Sequence, residues 1–356
     1  MLTLLFVPLL APFGVLARPT SFSLGQLVFQ LPSSPVVENG VAENDVTPPP
    51  PPAFQVAPPT TPIRVLHQFD DLRLENLHAR SNGELILSVI NKPMLYILDP
   101  TKQNSKPVLL HEFPGVTACL GQAEIAPDVF AVVAGNWTEP GSHTPGSFSV
   151  WSIDLTTRGK PKVKQIAALP EANALNGMTT LHGGSPDIVL IADSVLGALW
   201  KLNVTSGEYK MAFDSPLFVN STGAPIGING IRSYSGSVYF FNSGQGTYGR
   251  VPVTYDGEWA GEVQILARID TDGSWDDFDM DWEGNAWVAT HQAALMEVTV
   301  EGKMRNTTGD GTFSMANPTS ARFGRGSKEE EKTLYLSAAG DQTHAGQVIA
   351  VKTWLI

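Results

Sequence analysis

Four residues with oxygen-bearing side chains recur at long intervals in this chain of 356 residues, namely Glu75, Asn176, Asn229 and Asp276. Two carboxylates and two amide oxygens around one axis would suit a hard divalent cation such as calcium or magnesium. Asn-Gly is also a common turn pair, and a polar residue that opens a strand often bonds only to local backbone. A metal site and a purely structural role are therefore both open.

Each of these residues begins a short polar segment that precedes two apolar, strand-like runs. The pattern repeats six times, with first residues 43 to 55 positions apart. We call these the strand-start segments: Glu75-Asn76-Leu77, Gly121-Gln122, Asn176-Gly177-Met178, Asn229-Gly230-Ile231, Asp276-Asp277-Phe278 and Thr319-Ser320. The alternation of apolar and polar residues predicts hairpins, and the repeat predicts one closed array over residues 63–356.

The outermost strands predict how the array closes. Fourth strand-like runs follow the hairpins at 108–113, 163–169, 209–214 and 263–268, whereas the last repeat lacks one and residues 63–69 form a lone strand-like run. We predict an all-β, six-bladed β-propeller with four antiparallel strands per blade, in which this N-terminal strand joins the last blade and closes the ring. The first strand of each blade then lines the axis, so the strand-start segments converge at one mouth.

The N-terminal residues predict export. Residues 1–17 are apolar and end in Val15-Leu16-Ala17, which is typical of a signal peptide, and residues 18–62 contain a proline-rich segment expected to be flexible. Four Asn-X-Ser/Thr sequons predict a secreted or luminal glycoprotein, with acceptors at Asn136, Asn203, Asn220 and Asn306. The single cysteine, Cys119, excludes an internal disulfide and is expected to be a buried apolar residue.

Composition excludes one class of partner. The formal net charge of −12 and the pI near 5.0 would repel a phosphate backbone, so we expect no nucleic-acid partner. We also expect no stable membrane insertion once a signal peptide is removed.

The chain resembles the six-bladed propellers of the senescence-marker-protein/gluconolactonase superfamily. The likeness lies in Asn229-Gly-Ile, in Asp276-Asp-Phe, and in the run Asp281-Trp-Glu-Gly-Asn-Ala-Trp-Val-Ala289. For lactonases of that superfamily it implies a central divalent metal, with Glu75, Asn176, Asn229 and Asp276 at the ligand positions. Trp275 and Phe278 stand where those lactonases have Pro and Gly, and we expect this departure to narrow or repurpose the cavity.

Further motifs resemble secreted fungal members of the superfamily, including the hetero-Diels-Alderases of tropolone sesquiterpenoid pathways. They are Glu75–Leu77, Ile191–Trp200, Gly227–Ile231, Phe240–Val253 and Pro318–Arg325. This resemblance implies cycloaddition of a tropolone o-quinone methide with a humulene-type terpene. Such a reaction requires no redox cofactor, because holding both reactants in a reactive pose lowers most of its barrier.

The candidate residues follow from these two interpretations. Those expected to act in catalysis are Gln122, Asn176, Asn229, Trp275, Asp276, His291 and Thr319. Those expected to bind substrate are Glu75, Tyr248, Arg250 and Phe278. His291 could equally be an exposed turn residue, and alternation along a strand lets only one of Asp276 and Asp277 face the channel, for which we favour Asp276.

Structural roles are expected for other conspicuous residues. Trp151, Trp200 and Trp287 occupy similar places in three hairpins and are expected to pack between blades. Asp193 is expected to cap a turn. A metal-dependent lactonase is the second candidate function, and a non-catalytic binding propeller is the third.

Overall fold

The computed structural model describes residues 55–56, 62–139, 142–220, 223–268, 275–291, 294–308, 315–341 and 344–353. The predicted signal peptide at 1–17 and most of the proline-rich segment at 18–62 lie outside these residues.

The described residues form strands almost throughout, because apolar and polar residues alternate with the period of a pleated strand. The first strands in chain order are β1 (Gln55–Val56), β2 (Ile63–Gln68), β3 (Leu74–Ala79), β4 (Leu85–Val89), β5 (Met94–Leu98), β6 (Val108–Glu112), β7 (Ala118–Ala126), β8 (Val129–Gly135), β9 (Trp137–Glu139), β10 (Ser142–His143), β11 (Ser149–Asp154), β12 (Lys162–Ala168), β13 (Leu175–Thr180) and β14 (Ile188–Asp193). The remaining elements are β15 (Ala198–Asn203), β16 (Tyr209–Asp214), β17 (Ile228–Tyr234), β18 (Ser237–Asn242), β19 (Thr247–Pro252), β20 (Gln264–Arg268), β21 (Trp275–Met280), β22 (Ala286–Thr290), β23 (Ala294–Val298), β24 (Met304–Asn306), β25 (Pro318–Phe323), α1 (Lys328–Glu331), β26 (Thr333–Ala338) and β27 (Gln347–Lys352).

Six antiparallel sheets of four strands confirm the predicted propeller. From the innermost strand outwards, blade one is β3-β4-β5-β6, blade two β7-β8-β11-β12, blade three β13-β14-β15-β16, blade four β17-β18-β19-β20, blade five β21-β22-β23-β24 and blade six β25-β26-β27-β2. The N-terminal strand β2 pairs antiparallel with β27 and is the outermost strand of blade six. The two-residue strand β1 pairs parallel with β24 of blade five. A small hairpin, β9-β10, projects between the second and third strands of blade two.

The innermost strands surround the axis, since each contacts the innermost strands of both neighbouring blades, and β25 of blade six lies against β3 of blade one. The glycines of the strand-start segments permit this close approach. A Cβ at Gly121 would lie 2.0 Å from the carbonyl oxygen of Asn176, and one at Gly177 would lie 2.5 Å from that of Asn229. The Asn-Gly pairs thus serve close strand packing at the axis and not hairpin turns.

Every innermost strand carries a register irregularity at its strand-start segment. On β3 it falls between Leu74 and Leu77, and the others lie at the equivalent places on β7, β13, β17, β21 and β25. A β-bulge re-aims side chains, because an extra residue interrupts the alternation of faces. The polar residues of these segments therefore do not follow simple alternation.

The predicted packing residues lie in the apolar layers between blades. Trp200 and Trp287 are buried, and Trp151 packs edge-on against Phe113. The Asp193 carboxylate accepts hydrogen bonds from three backbone N–H groups and from the Trp200 indole, so it caps the hairpin as expected. Cys119 is buried, and burial raises the pKa of its thiol.

Helices are nearly absent from the described residues, where α1 is a four-residue turn capped by Ser327. No helix in these ranges combines the length and apolar character that spanning a membrane requires.

Candidate functional site at the mouth of the propeller

A cavity of about 180 Å³ lies among the strand-start segments, and we call it the axial chamber. It brings together six residues predicted from the sequence: Glu75, Asn176, Asn229, Asp276, His291 and Thr319. They come from blades one, three, four, five and six. The predicted convergence of distant polar residues therefore occurs at one end of the axis.

Amide oxygens in this region lack hydrogen-bond partners. Gln122 Oε1, Asn176 Oδ1 and Asn229 Oδ1 are all buried, and no described residue donates to them. The amide nitrogen of Gln122 is occupied, since it donates to the carbonyl oxygens of Asn76 and Ile86 at 3.2 and 3.3 Å. That of Asn229 donates to Ser243 Oγ at 3.0 Å. Because buried acceptors are normally paired, the oxygens of Asn176 and Asn229, which line the same chamber, indicate a position suited to a bound cation or donor.

Two carboxyl groups face the same space. Burial, together with the charges of Asp276 and Asp277, raises the pKa of Glu75 well above its ordinary value, and the positive charge of Arg73 offsets part of this rise. Burial also raises the pKa of Asp276, although its hydrogen bond to His291 opposes the shift. The chamber therefore favours protons or another positive charge beside these carboxylates.

His291 is the titratable partner of Asp276. Its Nε2 lies 2.8 Å from Asp276 Oδ2, and its side chain is 36% exposed at the chamber wall. Burial opposes a charged ring, but the hydrogen bond and the charge of Asp276 outweigh burial and raise the pKa of His291. Once protonated, His291 keeps one N–H for Asp276 and has a second to donate. His291 is thus a chamber residue and not an isolated exposed turn.

Asp276 lines the chamber as favoured, whereas Asp277 belongs to a separate buried ion cluster. Asp277 Oδ2 accepts from Arg232 Nη2 at 2.6 Å and from Ser320 Oγ at 2.9 Å. Arg322 lies 3.9 Å from the same oxygen, and Asp279 lies near both arginines. Burial and the neighbouring Arg232 lower the pKa of Arg322 to about 10. This cluster joins blades four, five and six across their innermost strands.

Trp275 and Phe278 do not line the axial chamber. The expectation that these two side chains narrow the cavity is therefore wrong. Both pack on Phe241 of blade four, with ring centroids 5.0 and 4.9 Å away. The bulge between them is the physical reason, because one extra residue turns positions 275 and 278 to the same face. They form part of the apolar layer between blades four and five.

Tyr248 and Arg250 also lie away from the chamber. Tyr248 is buried in the same apolar layer, with its ring centroid 4.5 Å from that of Phe241. Arg250 donates to Gln264 Oε1 at 3.0 Å and to the Tyr239 hydroxyl at 3.2 Å, on the outer strands of blade four. Gln122 is buried beside the axis but does not line the chamber.

Sequence reasoning missed the rest of the chamber wall. The additional residues are Arg73, Ile90, Trp137, Thr138, Ile226, Asn317 and Ala339. Trp137 and Thr138 belong to β9, and they directly follow Asn136, the first of the predicted glycosylation acceptors. The length of the loop in blade two was the available signal, since this hairpin projects where blades three and four have short turns.

The donor set fits an oxygen-coordinated divalent cation. The two carboxylates and the unpartnered amide oxygens of Asn176 and Asn229 are the ligand types that calcium and magnesium prefer. Within the described ranges, no three His, Cys, Asp or Glu side chains are grouped so that they alone could hold a metal. A cation here would therefore depend on the amide oxygens of Asn176 and Asn229.

Comparison with known proteins agrees with both halves of the predicted resemblance. No protein-family model matches the chain. It is 27% identical over 318 residues to "Putative hetero-Diels-Alderase asR5" of Sarocladium schorii, an alignment that covers 79% of each chain.

Two solved propellers show the fold. Regucalcin, a calcium-binding protein of Agrobacterium tumefaciens, is 17% identical, with a TM-score of 0.59 over 81% of this chain and 92% of that one. A "putative gluconolactonase" is 13% identical, with a TM-score of 0.59 over 84% and 94% of the two chains. The chain thus shares the six-bladed fold of gluconolactonase-like proteins and is similar in sequence to a protein named as a hetero-Diels-Alderase.

Proposed function

We propose that this protein is a hetero-Diels-Alderase that joins a tropolone o-quinone methide to a humulene-type sesquiterpene at the mouth of the propeller. The observation that carries the proposal is the similarity to asR5 over 79% of the chain. The axial chamber supports it, because apolar walls and hydrogen-bond donors meet there.

For this reaction the protein needs to position the two reactants and to polarise the quinone-methide oxygen. Two σ bonds form between the heterodiene and the alkene as their three π bonds become one, and no electron or proton leaves the pair. Holding both reactants in a reactive pose lowers the entropic part of the barrier. A donor on the quinone-methide oxygen stabilises the negative charge that develops there.

The chamber residues have groups for each task. Ile90, Trp137 and Ile226 supply apolar wall, which limits the access of water to a reactive quinone methide. His291, held by Asp276, supplies the second N–H described above, and the Thr319 hydroxyl lies on the same wall. The Thr319 hydroxyl donates to the Leu74 carbonyl oxygen at 3.2 Å and lies 3.1 Å from Ser337 Oγ.

The test is incubation of the full chain with a quinone-methide precursor and a humulene-type alkene, with boiled protein as the blank. We expect faster adduct formation and one dominant stereoisomer. His291→Gln should lower the rate by roughly 100-fold if this donor stabilises the transition state. His182→Gln is the matched control, since His182 is exposed and stacks on Tyr234 outside the chamber. A racemic adduct formed no faster than in the blank would refute the proposal.

A second candidate, a divalent-metal-dependent lactonase, is favoured by the unpartnered oxygens. Glu75, Asn176, Asn229 and Asp276 would hold the cation, and the side-chain oxygens of the two asparagines accept no hydrogen bond from the described residues. A bound divalent cation would supply Lewis-acid polarisation of a lactone carbonyl. The protein groups would orient the substrate, and His291, which is hydrogen-bonded to Asp276, would be available to hold a proton.

Metal analysis of the purified protein and lactone hydrolysis before and after chelation test this second candidate. Calcium that binds the folded state should raise Tm, because ligand binding stabilises the state that it prefers. Asn229→Ala should abolish that rise, whereas Asn203→Ala, at the end of β15, should leave it unchanged. Metal-free protein that hydrolyses lactones at an unchanged rate would contradict this alternative.

A further inference from the structure

A second, wider cavity of about 700 Å³ adjoins the axial chamber between blades one and six, and we call it the vestibule. Arg73, Asn317 and Ala339 line both cavities. These three residues therefore lie where the vestibule opens into the chamber. Among them only Arg73 carries a charge.

The backbone of Arg73 is held firmly in place. Its N–H donates to Asn91 Oδ1 at 2.8 Å, and its carbonyl oxygen accepts from the Ile90 N–H at 2.9 Å. Asn91 in turn donates to the Asp71 carbonyl at 2.9 Å. The guanidinium therefore extends from a fixed base, while its side chain is exposed.

Arg73 forms no ion pair among the described residues, although the vestibule is acidic. Two acidic residues of the vestibule have other partners: Asp71 lies 2.5 Å from Lys92 Nζ, and Asp341 lies 3.2 Å from His344 Nδ1. Asp70 lines the same cavity, and the charge of Arg73 also acts on Glu75 in the axial chamber without forming an ion pair with it. The positive charge at the junction is thus available to a ligand that enters from the vestibule. The aspartates that line the vestibule would repel an anion that does not contact Arg73.

We propose that Arg73 is the substrate-recognition residue at this junction, where its guanidinium binds the two adjacent oxygens of a small planar anion. An arginine fork matches such a pair of oxygens with two parallel N–H···O bonds. A deprotonated tropolone ring presents two adjacent oxygens in one plane, so this inference rests on the proposed function for the identity of its ligand. The anion would enter the axial chamber with its oxygens toward Arg73.

Cavity size is consistent with this arrangement. The axial chamber, at about 180 Å³, is smaller than the 300–1,000 Å³ of typical ligand pockets. It can hold one small ring, while a second, larger reactant would extend into the vestibule. Arg73 lies between the two spaces, so it would orient the ring toward the second reactant.

Calorimetric titration of the full chain with tropolone, at a pH at which tropolone is ionised, tests the proposal. Tropolone methyl ether is the neutral probe, and benzoate is the planar anion of a different class. We expect Arg73→Met to weaken tropolone binding by about 10- to 100-fold, the range for a hydrogen bond to a charged group. Binding of the methyl ether should change less than about threefold.

Two further variants control the experiment. Arg73→Lys keeps the charge but not the fork, so it should bind tropolone with intermediate affinity. Arg64→Met removes an exposed arginine on β2 and should bind all three probes like the wild type. Loss of benzoate binding in parallel with tropolone would support a general planar-anion site, and loss for tropolone alone would support a ring-specific one.

The overturning results are distinct from failure of the proposed reaction. Wild-type protein that does not bind tropolone, or Arg73→Met that binds it normally, would overturn the inference. Equal weakening for tropolone and its methyl ether would also overturn it, because a general change of shape would then explain both. If the adduct assay fails while Arg73-dependent anion binding persists, the proposed reaction is wrong and the recognition site stands.

Discussion

Adjacent aspartates at 276 and 277 should have opposite roles, and their amide variants provide a stringent test of the structure. Asp277 is 2% exposed and pairs with Arg232, whose side chain is 7% exposed. With Asp279 and Arg322 it forms a cluster of two buried cations and two anions. Asp277→Asn would leave two arginines facing one carboxylate.

The expected cost follows from that imbalance. Removing one partner of a buried ion pair typically destabilises a protein by about 3–5 kcal/mol, because the remaining charge loses its compensation. For a domain of this size that loss lowers Tm by roughly 10 °C. Asp276→Asn should instead be neutral or stabilising near pH 7, because burial raises the pKa of Asp276 and its ionised form is disfavoured in the folded state.

Urea unfolding at pH 7, followed by tryptophan fluorescence and circular dichroism, measures both variants under the same conditions. A matched m-value would show that the two midpoints compare the same unfolding reaction. The reasoning would be refuted if Asp277→Asn unfolded at the wild-type midpoint. It would equally fail if both variants lost the same free energy, since position 276 would then be structural as well.

Three other outcomes follow from single sites. Burial raises the pKa of Glu75, so the folded state binds more protons at this carboxyl group than the unfolded state does. The free energy of unfolding should therefore fall as the pH rises above 4.5. Glu75→Gln should reduce this pH dependence, as measured by urea midpoints over a series of pH values. Asp193→Ala should cost at least about 3 kcal/mol in urea unfolding because it removes four hydrogen bonds, whereas the exposed Asp214→Ala should change stability by less than about 0.5 kcal/mol. Cys119 should react with a thiol reagent only after unfolding, and rapid labelling of the native protein would contradict its burial.

The architecture was predictable because its signals are local and repeated. Alternating apolar residues indicated the strands, and the missing fourth run of the last repeat indicated a place for residues 63–69. The convergence of Glu75, Asn176, Asn229 and Asp276 then followed from topology, since each opens the innermost strand of its blade. No contact between distant residues had to be guessed for this result.

Side-chain direction at the axis was less predictable, because alternation fails at a bulge. In a regular strand positions 275 and 278 face opposite sides, yet both rings pack on Phe241. The sequence contains no unambiguous mark of where the extra residue falls. The prediction for Tyr248 and Arg250 was wrong because they lie on β19, the third strand of blade four, two strands out from the innermost strand that positions Asn229.

The two candidate functions differ in what balances the charge of the axial chamber. The charge of Asp276 disfavours ionisation of Glu75, and burial disfavours ionisation of both carboxyl groups. The amide oxygens of Asn176 and Asn229, which line the same chamber, accept no hydrogen bond from the described residues. A divalent cation would satisfy all of these groups together, whereas protons on the carboxyls would satisfy the carboxyls and leave the amide oxygens for the donors of a ligand. Stability that depends on calcium near pH 7 therefore favours the lactonase, and stability that depends on pH but not on calcium favours the cycloaddition site. The residues of the axial chamber suit either reaction, so the two functions are distinguished by whether a divalent cation or protons neutralise Glu75 and Asp276.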